Sequence, residues 1–219
     1  MSAEERGGRV PGPIIASADQ GDFRKIAGLI RSSIPNALVS HLGLQFGSAY
    51  YATMVARPGS CGFVARDAVG RVIGVSIGSL DSVGLQRDLL RSQIVTLLLA
   101  ANVRLLRPAV LWWLTQGIRA RLDGSKSVVS DDATGVERPR AELLAVAVAP
   151  EHRRSGLSSN LVECFEDVLR MHASGPKEYC IHTEASNVVA NRFYRRIGAE
   201  LALTSRHHGR EINQWRKRL

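Results

Sequence analysis

"AVAPEHRRSGLSSNL", residues 147–161, is the stretch on which the reading of this chain turns. A valine-rich apolar run stops at Pro150; two arginines then lead to Gly156, small serines and an amphipathic run. The pattern predicts a strand, a turn and the start of a helix. Such a turn places unbonded backbone N–H groups at a helix N-terminus, where the positive end of the helix dipole and the arginines reinforce them. A site of this kind binds phosphate with little side-chain chemistry. Gly156 lacks a Cβ, so a phosphate can approach the main chain closely, and the small Ser158 preserves that access. The stretch is neither a GxxxxGK[ST] loop nor a GxGxxG dinucleotide turn. An ordinary strand-to-helix turn with solvated arginines is the competing reading, and the stretch alone does not choose.

Outward from it, "AELLAVAVAP" is the strand, and the helix runs from about Ser155 to His172 with Leu157, Leu161, Phe165, Val168 and Leu169 on one side. "EYCIHTEA" (178–185) is a further strand. "SNVVANRFYRRIGA" predicts a short helix from a Ser/Asn cap to a stop at Gly198, turning Val189, Ala190, Phe193 and Ile197 to the core. "AELALTS" and "REINQWRKRL" predict a hairpin turned by "RHHG". Upstream, "PIIASA" (13–18) reads as a strand, followed by a helix with Phe23, Ile26, Ala27 and Ile30 at helical spacing. A second helical stretch is expected over roughly 36–56. "CGFVARD" (61–67) and "RVIGVSIGS" (71–79) predict an antiparallel hairpin.

From Leu85 to Leu122 the chain is apolar but studded with arginine. Its uncharged stretches, 92–103 and 108–118, are shorter than the roughly 20 residues a membrane span needs. Two helices broken at Pro108 are expected, packing as core, lying on a membrane interface or capping a substrate pocket. A polar loop over 123–140 follows.

The 219 residues suffice for one well-buried core and not comfortably for two domains. Their 45% apolar and 22% charged content is that of an ordinary globular chain, and a net charge of +9 points to an anionic partner or a solvated arginine-rich surface. No interleaved aromatic–basic stripe supports a nucleic-acid partner. Cys61, Cys164 and Cys180 are scattered without a CxxC pair and read as buried thiols in a reducing compartment. The first residues carry no apolar h-region, so a cytoplasmic location is expected. His207 and His208 are adjacent in a turn and lack ligand spacing, so no metal is expected.

"VAVAPEHRRSGLSSNLVE" followed by "NVVANRFYRRIGAEL" resembles the GCN5-related N-acetyltransferase (GNAT) superfamily. The superfamily's Arg/Gln-x-x-Gly-x-Gly/Ala motif is matched at Arg153, Gly156 and Ser158, serine replacing glycine or alanine. Its second signature is matched at Asn187, Ala190, Phe193, Tyr194 and Gly198. The close resemblance covers about residues 140–204. It implies an α/β (α+β) domain over 1–219, a mixed, mostly antiparallel central sheet flanked by helices; the segment 81–139, before the fourth strand, has no counterpart in a minimal member and is expected to be a helical insertion plus polar loop. It implies acetyl-CoA as cosubstrate. Val146 and Val148 are expected to line the cofactor through main-chain groups left open where their strand splays from 178–185. Arg153, Arg154, Ser155, Gly156, Leu157 and Ser158 would hold the diphosphate. Asn187 would touch the pantetheine arm or the cofactor's far end.

An alkylamine is mostly protonated at neutral pH, so attack on a thioester needs a proton acceptor. Glu142 is the first candidate, by its match to the catalytic glutamate of histone-type members, and strand alternation places it with Leu144, Val146 and Val148. His182 and Glu184, on one face of the next strand, are the second candidates, and ordered water is an alternative to any single base. Tyr194 would stand near the sulfur and protonate the leaving thiolate. Cys180 has no activating partner evident in sequence and is not expected to carry an acyl group. The leading expectation is acetyl transfer from CoA to a primary amine, on a small molecule or a protein, by direct attack. The alternative is a non-catalytic acyl-CoA or partner-binding module of the same fold. A peripheral membrane contact through 85–122 and a homodimer stay open.

Overall fold

The structure, a computed structural model, describes residues 12–34, 38–85, 88, 140–173, 175–207 and 209–219. Its described strands are β1 (Ile14–Ser17), β2 (Ser60–Arg66), β3 (Val72–Ser79), β4 (Glu142–Val148), β5 (Glu178–Glu184), β6 (Glu200–His207) and β7 (Arg210–Arg218). They form one sheet in the order β1-β2-β3-β4-β5-β7-β6. Every neighbouring pair is antiparallel except β4 and β5, which run parallel. Helices α1 (Phe23–Ser33), α2 (Leu38–Leu42), α3 (Leu44–Val55), α4 (Leu157–Met171) and α5 (Val188–Arg196) flank it. The mixed, mostly antiparallel sheet expected from the resemblance is thus present.

The sequence of β3 explains how the layers meet. Its small residues Gly74, Ser76 and Gly78 alternate with Val75 and Ile77, so one face is flat and the other bulky. A Cβ at Gly78 would lie 2.2 Å from the Phe165 ring, and one at Gly74 2.8 Å from Leu161. Ser76 Oγ donates to the Leu161 carbonyl at 2.8 Å. The flat face therefore lets α4 lie close, burying Leu157, Leu161, Val162, Phe165 and Leu169. Val168, expected on that buried side, is only half-buried, while Glu166 is buried and accepts from the Tyr179 hydroxyl at 2.7 Å. On the bulky face, Val64, Val75, Ile77 and Ala147 pack against Phe23, Ile26, Ala27 and Ile30 of α1 and Tyr51 and Met54 of α3.

Two expectations change. The helix expected over 36–56 divides into α2 and α3 because Gly43 takes a left-handed conformation, φ 93°, which ends one helix and starts another. Val189 is 77% exposed rather than facing the core. The core contact of α5 is Tyr194, its ring centroid 6.4 Å from that of Trp215, with Ala190, Phe193 and Ile197 half-buried beside it. Of the cysteines, Cys180 is buried, whereas Cys61 and Cys164 are half-buried. The expected helices within 85–122 and the loop of 123–139 lie outside the described residues, apart from Leu85 and Asp88, and so does His208. Among the described residues, no helix is long and apolar enough to cross a membrane.

Candidate active site

The centre of the sheet is open. Strands β4 and β5 pair only at Glu142–Cys180 and Leu143–Ile181, although each is seven residues long. Beyond Leu143, β4 continues along β3 to Val148, while β5 stays paired with β7 throughout its length. The cause lies at Leu144. Ala145 pairs with Ile77 and Leu143 with Gly78, so Leu144 is an extra residue, a bulge that bends β4 away from β5.

Main-chain donors point into the resulting gap. Ala149 N–H donates to the Ile73 carbonyl on β3 at 2.8 Å. Successive residues of a strand alternate the edge at which their polar groups point. The N–H groups of Val148 and Val146 therefore project toward β5, where pairing has ceased. The Val148 carbonyl points the same way but is occupied, accepting from Arg153 Nε at 3.1 Å. This corrects the expectation that both polar groups at Val148 would be open.

After β4 the chain makes a short 3-10 turn, Pro150–His152, and then reverses through two left-handed residues, Arg154 at φ 65° and Gly156 at φ 86°. The conformation at Gly156 is the one side chains disfavour, and a Cβ there would meet nothing within 4 Å. The space before this glycine is open. Ser159 and Asn160 N–H both donate to the Gly156 carbonyl, and Leu157 N–H makes a long 3.4 Å contact to Ser155 Oγ. The amides of Arg154, Ser155, Gly156 and Ser158 donate to no group among the described residues. Arg153, Arg154 and Ser155 are exposed, and Leu157 is buried under the turn. The turn is a concave set of donors with positive side chains at its rim.

The bulge also changes which side chains share a face. Leu143, Val146 and Val148 stand opposite Gly78, Ser76 and Gly74, on the α4 side. Glu142 stands opposite Ser79, on the side of α1 and α3. Glu142 therefore does not share a face with Val146 and Val148, as simple alternation predicts; the extra residue reverses the pattern between them.

On that second face Glu142 is buried at 6% exposure, and its Oε1 lies 2.8 Å from His182 Nδ1. Burial, together with the Glu142 charge, holds the Tyr50 phenol of α3 above its ordinary value. Glu184, farther along β5, forms an ion pair with Arg210 of β7. The structure thus brings Glu142 and His182 together and ties Glu184 elsewhere.

Tyr194 is buried beside Trp215, and loss of solvent pushes its phenol up to about 12. Asn187 caps α5, its Oδ1 accepting from Ala190 N–H at 3.1 Å. A neighbour the sequence reading passed over does more. Asn191 Nδ2 contacts the carbonyls of Glu184, Ala185 and Asn187, and its Oδ1 accepts from Asn213 Nδ2 and Trp215 Nε1 at 3.0 Å each. This side chain fastens the end of β5 to α5. Its spacing from the Asn187 cap, one helical turn, was the available signal.

Residues 117–199 match the acetyltransferase (GNAT) family. Among curated proteins none matches. Solved structures share the fold. Ard1 from Thermoplasma volcanium is 14% identical with a TM-score of 0.58, over 95% of this chain and 99% of that one. The NatC complex bound to Gag peptide and CoA gives 14%, 0.57, 95% and 99%. The ribosomal-protein-S18-alanine N-acetyltransferase from Escherichia coli gives 13%, 0.54, 94% and 93%. The match to the acetyltransferase (GNAT) family thus falls on the motif region, and the fold around it is the one these acetyltransferase structures share.

Proposed function

We propose that the protein is an acetyl-CoA-dependent N-acetyltransferase that passes the acetyl group directly to a primary amine. The observation that carries this reading is the gap between β4 and β5, with the donor-rich turn of residues 153–158 at its mouth. Arg153, Arg154 and Ser155 supply charge and hydroxyl, and the amides around Gly156 supply donors, for the diphosphate. Leu157 anchors the turn from below. The pantetheine arm runs along the open edge of β4, where Val146 and Val148 offer N–H groups; a CoA-bound relative of the same fold agrees with this cosubstrate.

The chemistry follows from the two faces. A neutral amine attacks the thioester carbonyl, and the oxyanion that forms accepts from the main-chain N–H near Val148. Glu142, held by His182, takes the amine proton on the face opposite α4. Collapse of the intermediate breaks the C–S bond, and Tyr194, whose buried phenol keeps its proton, gives it to the departing thiolate. Asn187 and Asn191 hold α5, and thus Tyr194, against the sheet. Glu184, neutralised by Arg210, sits at the rim of the acceptor side.

Incubating the protein with acetyl-CoA and a panel of polyamines, amino sugars and peptides, while following free thiol, tests the proposal. Thiol release that requires one acceptor class supports it. Tight CoA binding without release under every acceptor would favour the binding-module alternative.

A further inference from the structure

We infer that Glu142, Cys180 and His182 form a site for Zn2+ or a similarly thiophilic divalent cation, and that its occupation switches off the chemistry proposed above. The three donors meet because of strand register. Cys180 lies directly across from Glu142 at the one place where β4 and β5 pair, and His182 is two residues on, on the same face of β5. One ligand atom from each lies within 4.8 Å of the other two. Around a tetrahedral ion with bonds of about 2.0–2.3 Å, neighbouring donors sit roughly 3.4–3.7 Å apart, so the ion is seated when the 2.8 Å Glu142–His182 contact opens and any wider separation closes by at most about an ångström.

The donor set selects the ion. A thiolate, an imidazole and a carboxylate suit Zn2+, whereas magnesium, calcium and manganese favour oxygen alone. On binding, the Cys180 thiol releases its proton to solvent, and the thiolate and the Glu142 carboxylate together cancel the charge of the dication. A buried complex of zero net charge avoids the desolvation cost that an unmatched dication would meet there. Glu142 and Cys180 are buried at 6% and 0% exposure, while the His182 side chain at 19% leaves an edge for entry. Three protein ligands leave the fourth position to water.

The Glu142–His182 contact cannot persist with an ion between them. A bound cation therefore removes the proposed proton acceptor, and inhibition follows. Only this consequence rests on the transferase reading; the binding claim rests on the three donors.

The test uses Co2+ as a spectroscopic probe and Zn2+ as the competing ion on the full chain. We expect one Co2+ per chain with a thiolate-to-cobalt charge-transfer band, bleached by Zn2+, and loss of acetyl transfer at the same Zn2+ concentrations. The Cys180→Ser variant should keep its turnover, lose the band and need at least tenfold more Zn2+ for inhibition. A bound Co2+ without the band, or a band that persists in Cys180→Ser, overturns the site. Equal Zn2+ sensitivity of the two proteins overturns the switch. Should Cys180→Ser fail to fold, X-ray absorption on the zinc-loaded wild-type chain decides, one sulfur with nitrogen and oxygen neighbours supporting the site and an all-nitrogen-and-oxygen shell refuting it. A protein that binds cobalt with the band yet transfers no acetyl group would leave the site standing and remove the transferase.

Discussion

Replacing Gly156 with alanine separates what that glycine does for the fold from what it does for the ligand. The residue sits at φ 86°, and Gly70, in the β2–β3 hairpin, sits at φ 80°; a Cβ at either would meet nothing within 4 Å. The two substitutions are therefore matched in strain and in free space. A left-handed alanine costs about 1–2 kcal/mol, so each variant should lose that much stability, about 2–8 °C in Tm for a chain of this size. Only Gly156→Ala places its methyl where the diphosphate would lie. Displacing the phosphates from one charge-assisted amide bond costs about 1.5–3 kcal/mol, or about ten- to a hundredfold in Kd. Isothermal titration of CoA into the wild-type chain and both variants, at a temperature where all are folded, reads this directly. Gly156→Ala should weaken CoA by that factor and Gly70→Ala should leave it unchanged. Equal affinity in all three, or equal weakening in both variants, would show that the turn does not hold the cofactor.

Three further outcomes follow. Glu142→Gln should lower turnover by about 10²–10⁴-fold while leaving the Kd for CoA unchanged, since the proposed role of the carboxylate is toward the amine proton and not the cofactor; steady-state rates with calorimetry check both halves. Tyr194, its phenol pushed up from the ordinary value of 10.0 to about 12, holds its proton more tightly in the folded chain than in the unfolded one. Its contribution is thus fully present below about pH 10 and is lost as pH rises to about 12, a loss of about 2–3 kcal/mol; Tyr194→Phe should flatten that part of the alkaline decline in urea midpoint and also lower turnover. Asn191→Ala leaves the Trp215 N–H and the Asn213 amide without their shared acceptor, and should cost about 1–3 kcal/mol by chemical denaturation.

Much of this was legible because its causes are local. Apolar spacing at Phe23, Ile26, Ala27 and Ile30 announces α1, and all four are buried. The alternation of small and bulky residues in 72–79 announces a two-faced strand. The arginine–glycine–serine turn is a property of consecutive residues, whereas the left-handed conformation of its glycine is visible only in the structure. The departures come from contacts between distant parts of the chain. No residue type marks Leu144 as a bulge; that follows from how β4 lies on β3. The Glu142–His182 contact joins positions 40 residues apart and depends on which parallel register β5 adopts. Tyr194 replaces Val189 in the core because Trp215, on another strand, supplies the surface that α5 meets.

The bulge is where the two kinds of information combine. Without it, Glu142 would project toward α4 with Val146 and Val148, on the side from which the proposed cofactor enters. One extra residue sends the carboxylate to the face of α1 and α3, and the same bend opens the gap beyond Leu143. On the proposed reading, thioester and amine then approach from opposite faces and meet between the strands, with Glu142 on the amine's side. A single irregularity thereby accounts for the cleft, for the two-sided access and for the meeting of Glu142 with Cys180 and His182. Deleting Leu144 should close the β4–β5 gap and abolish CoA binding together with acetyl transfer in a chain whose far-ultraviolet spectrum is kept. A folded deletion variant that still binds CoA would mean that the bulge does not create the cleft.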